Sequence, residues 1–345
     1  MKAFQFVETQ KPAQLREVTV PEPGPGQVLM KIGGAGACHS DLHIMETPAH
    51  APSPPLPFTL GHENAGWVEE LGPGATGFAI GDPVLVYGPW GCGSCANCRI
   101  GMENYCQNPG QSMPGGLGAD GGMANYMLVP STRFLLPLGD LDPREAAPLT
   151  DAALTSYHAV KRSIQLLGPG STAVVIGAGG LGQMAIQVLK ALSAATTVIA
   201  VDTSVTKLET ARHIGADETV VSGADAVQRI RDITRGRGAA LVLDMVGGRQ
   251  TLEMAAQISR VLGHVTIVGL GGGALPVNFH SPAKECSVTS PYWGSIPELM
   301  DVICLAQAGM IKMLVEQFPL ERASEAYHLL HDGKIQGRAV IIPNG

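Results

Sequence analysis

The stretch Thr172-Ala173-Val174-Val175-Ile176-Gly177-Ala178-Gly179-Gly180-Leu181-Gly182 decides the fold. Its first five residues are apolar and rich in β-branched side chains, as expected of a strand buried on both faces of a parallel sheet. Met184, Ile186, Val188, Leu189 and Leu192 then follow a helical pattern, and Thr197-Val198-Ile199-Ala200-Val201 reads as a second strand ending in Asp202, 20 residues past Gly182. Strand, Gly-x-Gly-x-x-Gly turn, helix, strand and acid together form a dinucleotide-binding fingerprint. Gly177 permits the tight turn, Gly179 lets the backbone approach a pyrophosphate, and Gly182 allows helix and strand to pack closely. Gly180 and Leu181 complete the turn, where the helix N-terminus favours an anion. Asp202 can accept hydrogen bonds from ribose hydroxyls and would repel a 2′-phosphate, so NAD is expected over NADP. The plainer reading of Asp202 is a surface carboxylate at a strand end.

Downstream the alternation continues, with helices at 203–213, 224–234 and 250–261 and strands at 218–221, 240–245, 264–268 and 287–293. Repeated βα units predict a doubly wound parallel sheet over residues 151–293. Beyond it, helices at 297–308 and 321–331 and strands at 315–320 and 338–342 are expected to pack back on the N-terminal region.

Upstream, residues 1–150 have a different texture. Short β-like runs (4–7, 15–18, 28–32, 64–71, 83–87) are separated by Pro- and Gly-rich turns such as Pro21-Glu22-Pro23-Gly24-Pro25-Gly26, which suits antiparallel, barrel-like packing. This region holds the chemistry. Cys38-His39-Ser40-Asp41-Leu42-His43 and Gly61-His62-Glu63 offer a thiolate and an imidazole suited to Zn²⁺, and a catalytic zinc needs a third protein ligand from elsewhere. Cys92, Cys95, Cys98 and Cys106 follow a Cys-x2-Cys-x2-Cys-x7-Cys spacing. Four thiolates in one loop close a tetrahedral structural zinc site. Two disulfides or an iron–sulfur cluster are the alternatives, although the ferredoxin Cys-x3-Cys-Pro ending is absent.

The chain has 345 residues, 45% hydrophobic and 15% charged, with net charge −7 and seven cysteines. That is ample for a large core. The odd cysteine count, four of them at metal spacing, favours metal over disulfides. With no basic block, nucleic acid is not an expected partner. With no spanning apolar run and no signal-like N-terminus, neither is a membrane, and a cytoplasmic location is expected.

Gly61-His62-Glu63-x-x-Gly66 with Gly72, the four-Cys lobe and the glycine fingerprint, in that order, resemble the zinc-dependent medium-chain alcohol dehydrogenases over essentially the whole chain, most of all bacterial NAD-dependent secondary-alcohol dehydrogenases. The resemblance implies an α/β protein: a GroES-like β-barrel catalytic domain (1–150, completed by 294–345) and a Rossmann NAD-binding domain (151–293), with the catalytic zinc in the cleft between them. It implies two Zn²⁺ per subunit and NAD(H). Cys38 and His62 become catalytic zinc ligands. The third family ligand is often Cys; Asp151 stands there in this chain, with Glu63 as the competing ligand. Asp41 matches the acid that orients the His ligand, Ser40 the proton-relay hydroxyl and His43 the outer relay histidine. His39 and Arg338 match pyrophosphate contacts, and Lys207 an adenosine-ribose contact. Thr155 matches a residue beside the nicotinamide, and Val268 and Gly269 a backbone segment holding the carboxamide. Leu117, Tyr292 and Trp293 are candidate walls of an apolar substrate pocket, which suits hydrophobic secondary alcohols and ketones. A polyol or threonine dehydrogenase and a non-catalytic NAD-binding protein on the same scaffold are the rival readings. A homodimer or homotetramer is expected.

Overall fold

Eight strands lead the chain: β1 (Lys2–Phe6), β2 (Gln14–Glu17), β3 (Val28–Gly36), β4 (Phe58–Thr59), β5 (Glu63–Leu71), β6 (Pro83–Val86), β7 (Tyr126–Val129) and β8 (Leu135–Pro137). The computed structural model describes residues 1–48, 54–108 and 113–345. It divides into two units, the first comprising 1–151, 295–307 and 313–345, the second 152–294 with 308–312. Asp151 therefore closes the first unit rather than opening the second.

The first unit holds a three-stranded sheet, β2-β1-β4, and a larger one in the order Val315–Pro319, Arg338–Ile342, β3, β5, β6, β8, with β7 also paired to β3. Among the described residues, the pairings of its named strands are antiparallel except the parallel one between the two tail strands. The tail strand Arg338–Ile342 lies beside β3, with Val340 opposite Gly36, so the C-terminal segment does return to the N-terminal region. β3 and β5 lie unusually close. A Cβ on Gly66 would collide with the Lys31 carbonyl, and one on Gly36 with the Glu63 carboxylate.

The second unit is a six-stranded, all-parallel sheet. Its strands are β9 (Thr172–Ile176), β10 (Thr197–Asp202), β11 (Glu218–Val221), β12 (Ala239–Asp244), β13 (Ser259–Ile267) and β14 (Ser287–Thr289), in the spatial order 11-10-9-12-13-14. This is the doubly wound order with its reversal beside β9, the strand that feeds the glycine turn. Val174, Ile176, Ile199, Val201, Val242 and Val265 are fully or almost fully buried and pack in one core.

Three boundaries differ from the sequence expectation. The helix predicted over 250–261 ends at Ile258, because β13 starts at Ser259 and runs to Ile267, pairing with β12 across a bulge. Ser259 pairs with Ala239 and His264 with Leu241 of β12, and this pairing overrides local helix propensity. The strand predicted over 287–293 stops at Thr289; Pro291 has no N–H to give a ladder. Glu321 and Arg322 lie in a 3₁₀ turn, and the helix proper is Ala323–His331. Four helices among the described residues had no sequence expectation: His39–Glu46, Ala96–Arg99, Pro143–Ala146 and Ala152–Lys161.

Candidate metal centres and cofactor turn

The register of β3 and β5 assembles the first site. Gly36 lies opposite Glu63. Cys38 follows two residues after the end of β3, and His62 immediately precedes β5. The 3₁₀ turn Ala147–Thr150 delivers Asp151, anchored by the Thr150 hydroxyl donating to the Val86 carbonyl at 2.5 Å. The thiol of Cys38, a ring nitrogen of His62 and a carboxylate oxygen of Asp151 all lie within 4.8 Å of one another. His62 Nε2 stands 3.4 Å from Asp151 Oδ2.

His62 is held from behind. Its Nδ1 lies 2.9 Å from Asp41 Oδ1, which fixes the tautomer that leaves Nε2 for a metal. Asp41, in the first turn of helix His39–Glu46, also accepts from the Cys38 backbone N–H at 2.9 Å through Oδ2. That is half of a capping box, and it ties two potential ligands to one fully buried carboxylate. Ser40 Oγ is 3.6 Å from Cys38 Sγ and half-buried, while His39 and His43 on the same helix are exposed.

Burial disfavours a charged His62, yet Asp41, Asp151 and Cys38 outweigh it and raise its pKa well above the usual histidine range. The surroundings thus stabilise positive charge where a cation would sit. Cys, His and Asp form a three-donor set of the kind catalytic zinc uses, and one thiolate plus one carboxylate neutralise Zn²⁺. The residues fit the ion.

Glu63 and Arg338 have other commitments. Arg338 Nε donates to Glu63 Oε2 and Nη2 to Oε1, both at 2.7 Å, with side-chain exposures of 4% and 0%. Burial pushes the Glu63 carboxyl up and Arg338 pulls it back, leaving it raised. Burial also opposes the Arg338 charge, but Cys38, Glu63 and Asp151 keep it firmly ionised. The sequence expectation for Arg338 is a pyrophosphate contact; in the structure two of its N–H groups are committed to Glu63. Its planar fork matches a carboxylate and is held by Glu63, 3.7 Å from Asp151. Glu63 itself is not among the clustered donors.

The second metal group is Cys92, Cys95, Cys98 and Cys106, whose sulfurs lie within 4.8 Å of one another. None of the seven cysteines is bridged in the structure. Cys92 and Cys98 Sγ are 4.0 Å apart; four sulfurs about 2.3 Å from one ion would stand roughly 3.8 Å apart. Backbone N–H groups of Cys95, Cys92 and Asn108 point at sulfur from 3.4 Å, and Gln107 N–H from 3.5 Å. Donors from Ser94 and from the Cys95 amide push the Cys92 thiol down to about 5, while burial pushes Cys98 up to about 12. Gly93 takes φ +74°, where L side chains are strained.

In the second unit, Gly177 adopts φ +92° and Gly179 is the N-cap of helix Gly180–Leu192, with no side chain capping it. A Cβ on Gly182 would overlap the Gly177 carbonyl, whereas nothing stands within 4 Å of one on Gly179. Open space beside an uncapped helix N-terminus is what a pyrophosphate needs. Asp202 accepts from Ala178 N–H at 2.7 Å and Ser204 N–H at 2.8 Å, so it also pins the glycine turn to the end of β10. Val268 and Gly269 N–H donate to the Asp244 carbonyl. Lys207 is half-buried and Thr155 is buried in helix Ala152–Lys161.

The pocket candidates are less uniform. Tyr292 is 48% exposed, Trp293 is 5% exposed with φ +56°, and Leu117, in the first unit, is half-buried. Sequence reading missed Tyr327, whose hydroxyl donates to Asp41 Oδ2 at 2.8 Å. Nothing local marks it, since its partner is 286 residues away.

Residues 24–140 match the alcohol dehydrogenase GroES-like domain and residues 180–308 the zinc-binding dehydrogenase domain. An NAD-dependent alcohol dehydrogenase of Sulfurisphaera tokodaii is 40% identical, over 99% of this chain and 100% of the relative. A D-arabinose 1-dehydrogenase (NADP(+)) of Saccharolobus solfataricus is 36% identical, over 99% and 97%. The crystal structure of the alcohol dehydrogenase from Aeropyrum pernix superposes with TM-score 0.93 at 35% identity, covering 99% of this chain and 100% of that one. Full-length identity of this order, the two matched domains and the two metal-ready clusters place the chain in the zinc-type medium-chain alcohol dehydrogenase family.

Proposed function

We propose that this protein is an NAD-dependent alcohol dehydrogenase that interconverts hydrophobic secondary alcohols and ketones, using a zinc site built from Cys38, His62 and Asp151. The observation that carries the reading is the convergence of those three donors, with Asp41 holding His62 and Cys38 together. A zinc held there would supply Lewis-acid polarisation of an alcohol or carbonyl oxygen, and a bound dinucleotide would supply the hydride chemistry. The chain's own groups handle the proton. Ser40 Oγ, beside Cys38 Sγ, would accept the proton of the substrate hydroxyl while passing its own on through the cofactor ribose. His43, exposed on the same helix, would receive it and release it to solvent. Asp202 and the glycine turn orient the dinucleotide. The four-Cys lobe holds a second zinc with a structural role.

Zinc content and NAD-linked oxidation of 2-alkanols, measured on the wild type and Asp151→Ala, test this. Two zincs per subunit in the wild type, one in the variant, and activity lost with the second zinc are expected. An active variant retaining two zincs would remove Asp151 and point to Glu63. A wild type inactive on every alcohol would favour a non-catalytic NAD-binding protein.

Oxidation of an aldose is the second reading, favoured by the 36% identical D-arabinose 1-dehydrogenase (NADP(+)). Asp202 argues against its NADP form, because a carboxylate there repels a 2′-phosphate. Turnover of aldoses exceeding that of 2-alkanols would shift the assignment. A homodimer or homotetramer in the cytoplasm completes the proposal, and sedimentation equilibrium would decide the assembly.

A further inference from the structure

We infer that Tyr327 is a positioning residue for the metal site, acting through Asp41. The inference rests on reading Cys38, His62 and Asp151 as zinc ligands. Asp41 is fully buried and receives three hydrogen bonds: from His62 Nδ1 at 2.9 Å, from Cys38 N–H at 2.9 Å and from Tyr327 O–H at 2.8 Å. The first two run to prospective ligands. The third comes from helix Ala323–His331 of the C-terminal tail.

A carboxylate out of water needs its acceptor positions filled, and the direction of each hydrogen bond helps fix its plane. Oδ1 faces His62 while Oδ2 is shared by Cys38 N–H and Tyr327 O–H. The tyrosine therefore sets the rotation of Asp41 about its side-chain axis, and with it the aim of His62 Nε2. Burial and the Asp41 charge raise the Tyr327 pKa well above the ordinary phenol range, in keeping with a hydroxyl that stays a donor.

The ring sits in a fixed slot. It stacks on Phe4 with centroids 6.0 Å apart and planes at 15°, and Met123 Sδ lies 3.4 Å from the hydroxyl. Phe4 is itself tied to Met123 by a backbone hydrogen bond of 2.8 Å. Tyr327→Phe keeps the ring and removes only the donor, which separates packing from positioning.

The test uses the intact chain with Co²⁺ exchanged into the catalytic site and zinc left in the four-Cys lobe. Tyr327→Phe is expected to shift the visible cobalt bands and to release that metal to a chelator roughly tenfold faster, near the lower end of what removing a hydrogen bond behind a metal ligand does to affinity. The lobe zinc should be retained, and the melting temperature of the metal-loaded protein should fall only by the few degrees that one lost buried hydrogen bond costs. Phe4→Leu, which loosens the slot but keeps the hydroxyl donor, should move the cobalt bands less than Tyr327→Phe does. An unchanged spectrum and release rate in Tyr327→Phe would overturn the inference, and so would equal effects of the two variants. A wild type that takes no metal beyond the lobe would overturn it together with the zinc reading, and the wild-type metal count tells the two failures apart.

Discussion

Replacing Arg338 with methionine strands a buried carboxylate. In the native protein Glu63 receives two N–H donors at 2.7 Å from Arg338, in a place where its side chain has 0% exposure. Removing one partner of a buried pair typically costs about 3–5 kcal/mol, because the other charge is left uncompensated. Each kcal/mol lowers the melting temperature by about 2–4 °C in a domain of 150–250 residues, so a loss of roughly 10 °C is expected. The pH dependence identifies the cause. Burial already pushes the Glu63 carboxyl up, and Arg338 is the main group opposing it; without Arg338 it rises further. A group whose folded pKa lies above its unfolded value of about 4.3 contributes stability that is fully present below that value. The contribution is lost as pH rises through the folded pKa. The deficit of Arg338→Met relative to wild type should therefore be small near pH 5 and widen toward pH 8. Circular-dichroism melts across that range, on Arg338→Met, Glu63→Gln and the double variant, check it. The double variant should melt closer to wild type than Arg338→Met does, because it buries no unpaired charge. A deficit that widens toward acid, or a double variant showing the plain sum of the two singles, would refute the reasoning.

Gly182→Ala should abolish NAD binding by fluorescence titration and reduce stability, since the added Cβ would overlap the Gly177 carbonyl. Asp202→Ser should raise the KM for NAD and allow NADP to be used. It should also cost about 1–2 kcal/mol in urea unfolding, because two backbone N–H groups lose their acceptor. Cys98→Ser should lose the lobe zinc, read as one metal fewer per subunit, while NAD binding measured by titration is retained.

The cofactor half of the protein was legible because its information is local. A strand, a glycine turn and an acid within Thr172 to Asp202 specify one another through short-range backbone geometry. The four-Cys lobe was legible for the same reason, being closed within residues 92–106. Cys38 and His62 stood out by residue type, but only resemblance directed attention to Asp151. The sequence put nothing between Asp41 and Tyr327, or between Glu63 and Arg338, because those pairs span 286 and 275 residues and depend on where the tail strand docks. The misplaced end of helix Arg249–Ile258 has a similar origin: pairing of β13 with β12 overrides a local pattern that could continue as helix.

The discontinuous make-up of the first unit has a consequence for how the protein comes into being. Residues 152–294 supply nearly all of the second unit, so its sheet can close as soon as they leave the ribosome. The first unit cannot, because Arg338–Ile342 forms an inner strand of its sheet and lies next to β3. Until that segment emerges, Glu63 lacks its cation and Asp41 its tyrosine. A nascent chain can therefore carry a finished second unit beside a first unit that still lacks an inner strand, and the surroundings of Cys38, His62 and Asp151 are completed only when the tail docks.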